Sequence, residues 1–141
     1  MKIPEDIHAR VVELTNAITD AGEAGDDATS GALLGALNDY CESIAAAGRD
    51  HPFLWETLAD FTGDDRTAIA LYLRALPLAT AAGADDYAAS ICLALAERCS
   101  NLDEIDAARD YAVQADQFAR STDDLPLRRL ISQFLLDHAQ A

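Results

Sequence analysis

Gly25-Asp26-Asp27-Ala28-Thr29 opens a long Ala/Leu-rich stretch, and 38 residues later Gly63-Asp64-Asp65-Arg66-Thr67 opens another. A module used more than once cannot bury its apolar face alone, so copies stack on their neighbours, and a recurrence near this length points to a helical-repeat architecture. Two further acidic doublets, Asp85-Asp86 and Asp123-Asp124, are also 38 apart. All four precede apolar-periodic segments, where a carboxylate can accept the first free backbone N–H groups of a helix. One pair of doublets then opens second helices and the other opens first helices. Asp103, 39 residues after Asp64, is the expected third second-helix start.

Composition agrees with that reading. The 141 residues suffice for one domain with a real core, and half of them are apolar. Alanine fills about a fifth of the positions, aromatics 6%, and β-branched runs are nearly absent, so the intrinsic preference is helical almost throughout. Charge is lopsided: 25 acidic residues against 10 basic ones give a net charge of −15, with Lys2 the only lysine. Such a field repels nucleic acid and anionic membranes, which need Lys and Arg to meet phosphate. A basic protein partner suits it, and a uniformly acidic surface equally serves solubility.

No stretch approaches the ~20 continuous apolar residues of a membrane helix, and Met1-Lys2-Ile3-Pro4-Glu5-Asp6 lacks the apolar segment of a signal peptide, so a cytoplasmic location is expected. Cys41, Cys92 and Cys99 form an odd set. The last two lie seven apart on one helical face, about 10 Å along the axis, too far for a disulfide. They read as small buried hydrophobes in a reducing compartment.

Seven helices are predicted. The first runs from about Pro4 to Ala21 with Ile7, Val11, Leu14 and Ile18 inward, and the second from about Asp27 to Ala47, with Leu33, Leu34, Leu37, Cys41 and Ile44 inward and Gly48 as its stop. Asp50 is the expected cap of a third, His51 to Phe61. The fourth spans roughly Asp65 to Ala82, with Pro77 expected to kink it or end it early. The fifth covers about Asp86 to Ser100, the sixth Glu104 to Ser121, and the seventh Leu125 to Ala139. The last has one apolar and one wet face, as a capping helix should. The expected organisation is a single domain over residues 1–141, in units 4–48, 50–82 and 85–121 with a capping helix at 124–140.

Within the last unit, Cys92, Leu95, Ala96 and Cys99 followed by Ala108, Ala112 and Ala115 have the spacing of the two helices of a tetratricopeptide repeat. In the preceding unit, Gly63-Asp64 resembles that family's turn, Ala68, Tyr72 and Ala75 occupy the same three second-helix positions, and Trp55 and Leu58 lie upstream. Over about two thirds of its length the chain therefore resembles a divergent tetratricopeptide repeat protein. The resemblance implies an all-α stack of about three antiparallel helical hairpins plus a C-terminal capping helix. Other helical-hairpin solenoids, or a compact bundle of irregular hairpins, also fit the pattern.

The resemblance further implies a concave face, lined by the first helix of each pair, that holds a peptide or a partner's helix. Its outward positions here would be Phe53, Glu56 and Asp60 in the middle unit, and Ser90, Leu93, Glu97 and Asn101 in the last. Such a groove is acidic with apolar patches, and it suits a basic or amphipathic ligand better than a carboxylate terminus.

Catalytic and metal chemistry find little footing. His8, His51 and His138 fall in different predicted helices without ligand spacing, no nucleophile signature or phosphate-binding glycine run is present, and the acidic doublets do not follow the EF-hand pattern. No cofactor and no metal are expected. The expectation is a non-enzymatic adaptor binding another protein. An acidic immunity protein or secretion chaperone that neutralises a basic toxin or effector is the alternative, and so is a homodimer formed through the final helices, where Arg128-Arg129 is the one basic pair.

Overall fold

In the computed structural model, residues 1–139 are described, and they form seven α-helices and no strand: α1 (Glu5–Glu23), α2 (Asp27–Ala46), α3 (Pro52–Asp60), α4 (Asp65–Ala81), α5 (Asp85–Asn101), α6 (Ile105–Ala119) and α7 (Leu125–Asp137). The expected seventh helix stops two residues short of Ala139, and Gln140 lies outside the described residues.

Two short sequence devices set the boundaries. At the N-terminal ends, Asp26 accepts from the Thr29 amide at 3.1 Å and also holds the Thr29 hydroxyl, and Asp64 does the same for Thr67, with the amide at 2.9 Å. The Leu127 amide likewise finds Asp124 at 3.0 Å. Each of these bonds satisfies one of the orphan donors of a first turn, an interaction of about 1 kcal/mol. At the C-terminal ends, α1, α2, α4 and α5 close with one pattern: a left-handed residue, Gly25 (φ 73°), Gly48 (φ 76°), Gly83 (φ 65°) or Asp103 (φ 57°), whose successor's amide reaches back five residues. These bonds run from Asp26 to Ala21, Arg49 to Ile44, Ala84 to Ala79 and Glu104 to Cys99, at 2.9 to 3.1 Å.

Several expected caps are corrected. His51, not Asp50, caps α3, its Nδ1 accepting from the Phe53 amide at 3.0 Å. Asp50 instead accepts from the Trp55 indole N–H at 2.6 Å. Neither Asp85 nor Asp86 caps α5, which starts after Ala84 with no side-chain bond. Asp103 closes α5 rather than opening α6, because α5 runs one residue further than its apolar pattern suggested. Gly63 does not share the left-handed turn of Gly25, so the two Gly-Asp-Asp stretches resemble each other in the cap that follows and not in the glycine.

Pro77 does not end α4, which continues to Ala81. Pro77 and Leu73, whose carbonyl loses its donor, are both exposed, so water can satisfy the orphan group.

Each helix packs on its neighbours in sequence: α1 on α2, α3 on α4, α5 on α6 and α7 on α6, with α4 on α5 as extensively as on α3. The main core runs from α1 to α5 around Ile7, Val11, Leu37, Leu54, Trp55 and Leu95. A smaller one joins α5, α6 and α7 through Cys92, Leu93, Ala115 and Ile131. Every fully buried residue of α6 is an alanine, Ala108, Ala112, Ala115 and Ala119, and α6 packs on α5 more extensively than on any other helix. Such small side chains let two helix backbones approach closely. All three cysteines are free and buried, and burial holds the Cys41 thiol at about 12 and Cys92 at about 11.

Candidate functional site

The face shared by α3 and α5 gathers carboxylates. Glu56 and Asp60 lie one turn apart on α3, and Glu97 stands on α5. Burial pushes the Glu56 carboxyl up to about 7, Asp60 and Asp86 push the same way, and the Ser90 hydroxyl pulls back. Asp60 is also raised by desolvation, against the stabilising hydrogen bond that it accepts from the Tyr72 hydroxyl. Glu97, although exposed, is raised by partial desolvation against its neighbours and by the charge of Asp60. Tyr87 completes the edge, its hydroxyl pushed up to about 12 by burial and then by Glu56 and Asp86. Among the described residues the guanidinium that acts on Asp60 and Glu97 is that of Arg98, whose hydrogen bonds go elsewhere. It donates to the carbonyls of Ala59, Thr62 and Gly63 at the end of α3, and to Asp65 at 3.1 Å. These bonds tie α5 to the α3–α4 turn, and the Arg98 charge still pulls Asp60 and Glu97 down, though not enough to offset their desolvation.

The residues expected to line a groove divide. Glu56, Asp60, Ser90 and Glu97 come together as described. Asn101 sits at the end of α5 and donates to Asp65 at 3.2 Å. Phe53 turns toward α1, edge-on to His8 with ring centroids 5.7 Å apart, and is half-buried against the main core. Leu93 is 6% exposed, packed with Ala89, Ala115 and Ile131, so it offers no surface to a partner. The seventh helix covers that side of α5.

Three contributors escaped the sequence reading. Arg98 is the single base of α5, a signal that its isolation among acids carried. Tyr72 reads from the sequence as a packing residue of α4, yet its hydroxyl reaches Asp60. His51 is a buried helix cap, edge-on to Tyr87 with centroids 5.5 Å apart, and its Nε2 has no partner among the described residues. The other two histidines differ: His8 is exposed, while His138 stacks on Phe134 at 3.9 Å and lies 3.0 Å from the Ser100 hydroxyl.

Among the described residues no group of three or more His, Cys, Asp or Glu side chains is arranged to hold a metal ion, and no helix is long and apolar enough to cross a membrane. No protein-family model matches this chain, nor does any curated protein or solved structure compared with it.

Proposed function

We propose that this chain is a tetratricopeptide-like stack of three helical hairpins closed by α7, and that it works as a non-enzymatic cytoplasmic adaptor whose α3–α5 face holds a basic or amphipathic segment of another protein. The hairpin reading is supported by the order of helix contacts and by the complete or near-complete burial of Ala68, Tyr72, Ala75, Ala108, Ala112 and Ala115, the residues whose spacing resembles the family. The binding reading rests on one observation: Glu56, Asp60, Ser90 and Glu97 gather on one face of two helices, where desolvation first and the Asp60 charge second raise the proton affinity of Glu56 and Glu97, while Arg98 is bonded to backbone carbonyls and Asp65. A ligand ammonium or guanidinium supplies the missing charge and draws the proton off Glu56.

Fluorescence anisotropy with a labelled Lys/Leu amphipathic helical peptide tests this. Binding should weaken with salt, release protons and tighten from pH 6 to pH 8, and Glu56→Lys with Glu97→Lys should weaken it at least tenfold. Unchanged affinity in that double variant, with its helix content intact, sinks the reading.

A further inference from the structure

The seventh helix has one side inside the molecule and one without a neighbour. Ile131 is fully buried, with Leu127, Phe134 and Leu135 packed around it. On the opposite side Leu130 is 60% and Leu136 71% exposed, alongside Arg129, Gln133 and Asp137, which are also exposed. At 100° per residue these five positions fall within roughly a third of the helix circumference. By the 38-residue offset between Asp85-Asp86 and Asp123-Asp124, Leu130 and Gln133 stand where Cys92 and Leu95 stand on α5. Those two residues are fully buried. On α7 the corresponding strip is bare.

Charge says what covers it. Only α4 and α7 carry more Arg than Asp and Glu, two against one in each. Both arginines of α4 are already paired, Arg66 with Glu104 and Arg74 with Glu42. Among the described residues Arg128 and Arg129 have no carboxylate partner. In a chain of net charge −15, this helix is the place where a second copy can approach without acid meeting acid.

We infer that α7 is a self-association surface, packing antiparallel on α7 of a second copy about a two-fold axis at Gln133. In a two-fold pair, residue i meets j while j meets i. With Gln133 on the axis, position i meets 266 − i, so a single register sets Arg129 against the partner copy's Asp137 and Leu130 against its Leu136, each contact occurring twice. The two copies of Arg129 then lie about 12 Å apart along the axis, so they do not repel at contact distance. Asp137 already accepts from Gln133 at 2.7 Å and keeps a free oxygen for the guanidinium. A helix of 13 residues is about 20 Å long. Two of them bury less than the ~1,200 Å² of a stable interface, so the dimer is weak, with a Kd of about 10–1,000 μM.

Sedimentation equilibrium of the full chain from 5 μM to 1 mM tests both the dimer and its register. The wild type should self-associate in this range. Arg129→Asp alone and Asp137→Arg alone should each weaken it at least fivefold, and Leu130→Lys with Leu136→Lys should abolish it. The double exchange R129D/D137R restores opposite charges in the same register and should return the affinity to within about threefold of wild type. All four positions are exposed, and circular dichroism checks that each variant folds. A wild type that stays monomeric at 1 mM overturns the inference and leaves the strip to a different protein. A double exchange no better than the single variants overturns the register.

Discussion

Arg98 and Asp65, 33 residues apart in sequence, meet at 3.1 Å, and the same guanidinium spans the carbonyls of Ala59, Thr62 and Gly63. One side chain of α5 therefore satisfies the frayed end of α3 and fixes the turn into α4. Arg98→Ala leaves the Thr62 and Gly63 carbonyls without this donor in a half-buried place, while Ala59 keeps the Thr62 amide and Asp65 keeps Asn101. The expected loss is about 2–3 kcal/mol in urea or thermal unfolding. Arg98→Lys should recover less than half, because a point charge cannot span acceptors that a planar fork can.

Stability should respond to pH through two groups with opposite signs. Burial lowers the affinity of His51 for protons, and the N-terminal ammonium acts the same way, against the nearby Lys2 backbone and Asp50. Its Nδ1 must stay unprotonated to hold the Phe53 amide. The unfolded chain binds that proton first, so the His51 contribution is complete above about pH 6.5 and is lost as pH falls from there toward the lower folded value. Glu56 behaves in reverse: its folded value of about 7 exceeds the ordinary 4.5, so its contribution is complete below pH 4.5 and is lost as pH rises through 7. Thermal melts from pH 4.5 to 8.5 should show His51→Asn, which keeps a capping side chain, flattening the acid limb. Glu56→Gln should raise stability at pH 8 by about 1–2 kcal/mol.

The α5–α6 seam should reject bulk. Ala112 is fully buried in the middle of a helix whose other buried positions are also alanine. Ala112→Leu must push two backbones apart, with an expected cost of about 2–3 kcal/mol in chemical denaturation. Ala107→Leu, on the half-buried edge of the same helix, should cost less than 1 kcal/mol.

Helix positions were largely legible in the chain because the signals are local: Asp26 and Asp64 each cap a threonine three residues on, and Gly25, Gly48 and Gly83 each mark a left-handed end. The site was legible only in part. Leu93 looked outward on α5 because a single apolar stripe was assumed, whereas eight residues of α5 are buried between α4, α6 and α7. Burial on several sides erases the periodicity from which a face is read. His51 and Asp50 exchanged roles because the Trp55 indole, five residues from Asp50, competes for its carboxylate. Asp103 hid a left-handed turn that glycine would have announced.

The first hairpin touches the remainder through few points of α2 and α3, yet Ile7, Val11, Leu14 and Leu37 belong to a core whose other wall is Leu54, Trp55 and Leu58. A ribosome delivers that hairpin before its opposite wall exists. During synthesis these four side chains can cover one another but complete their burial only once the third helix has left the exit tunnel.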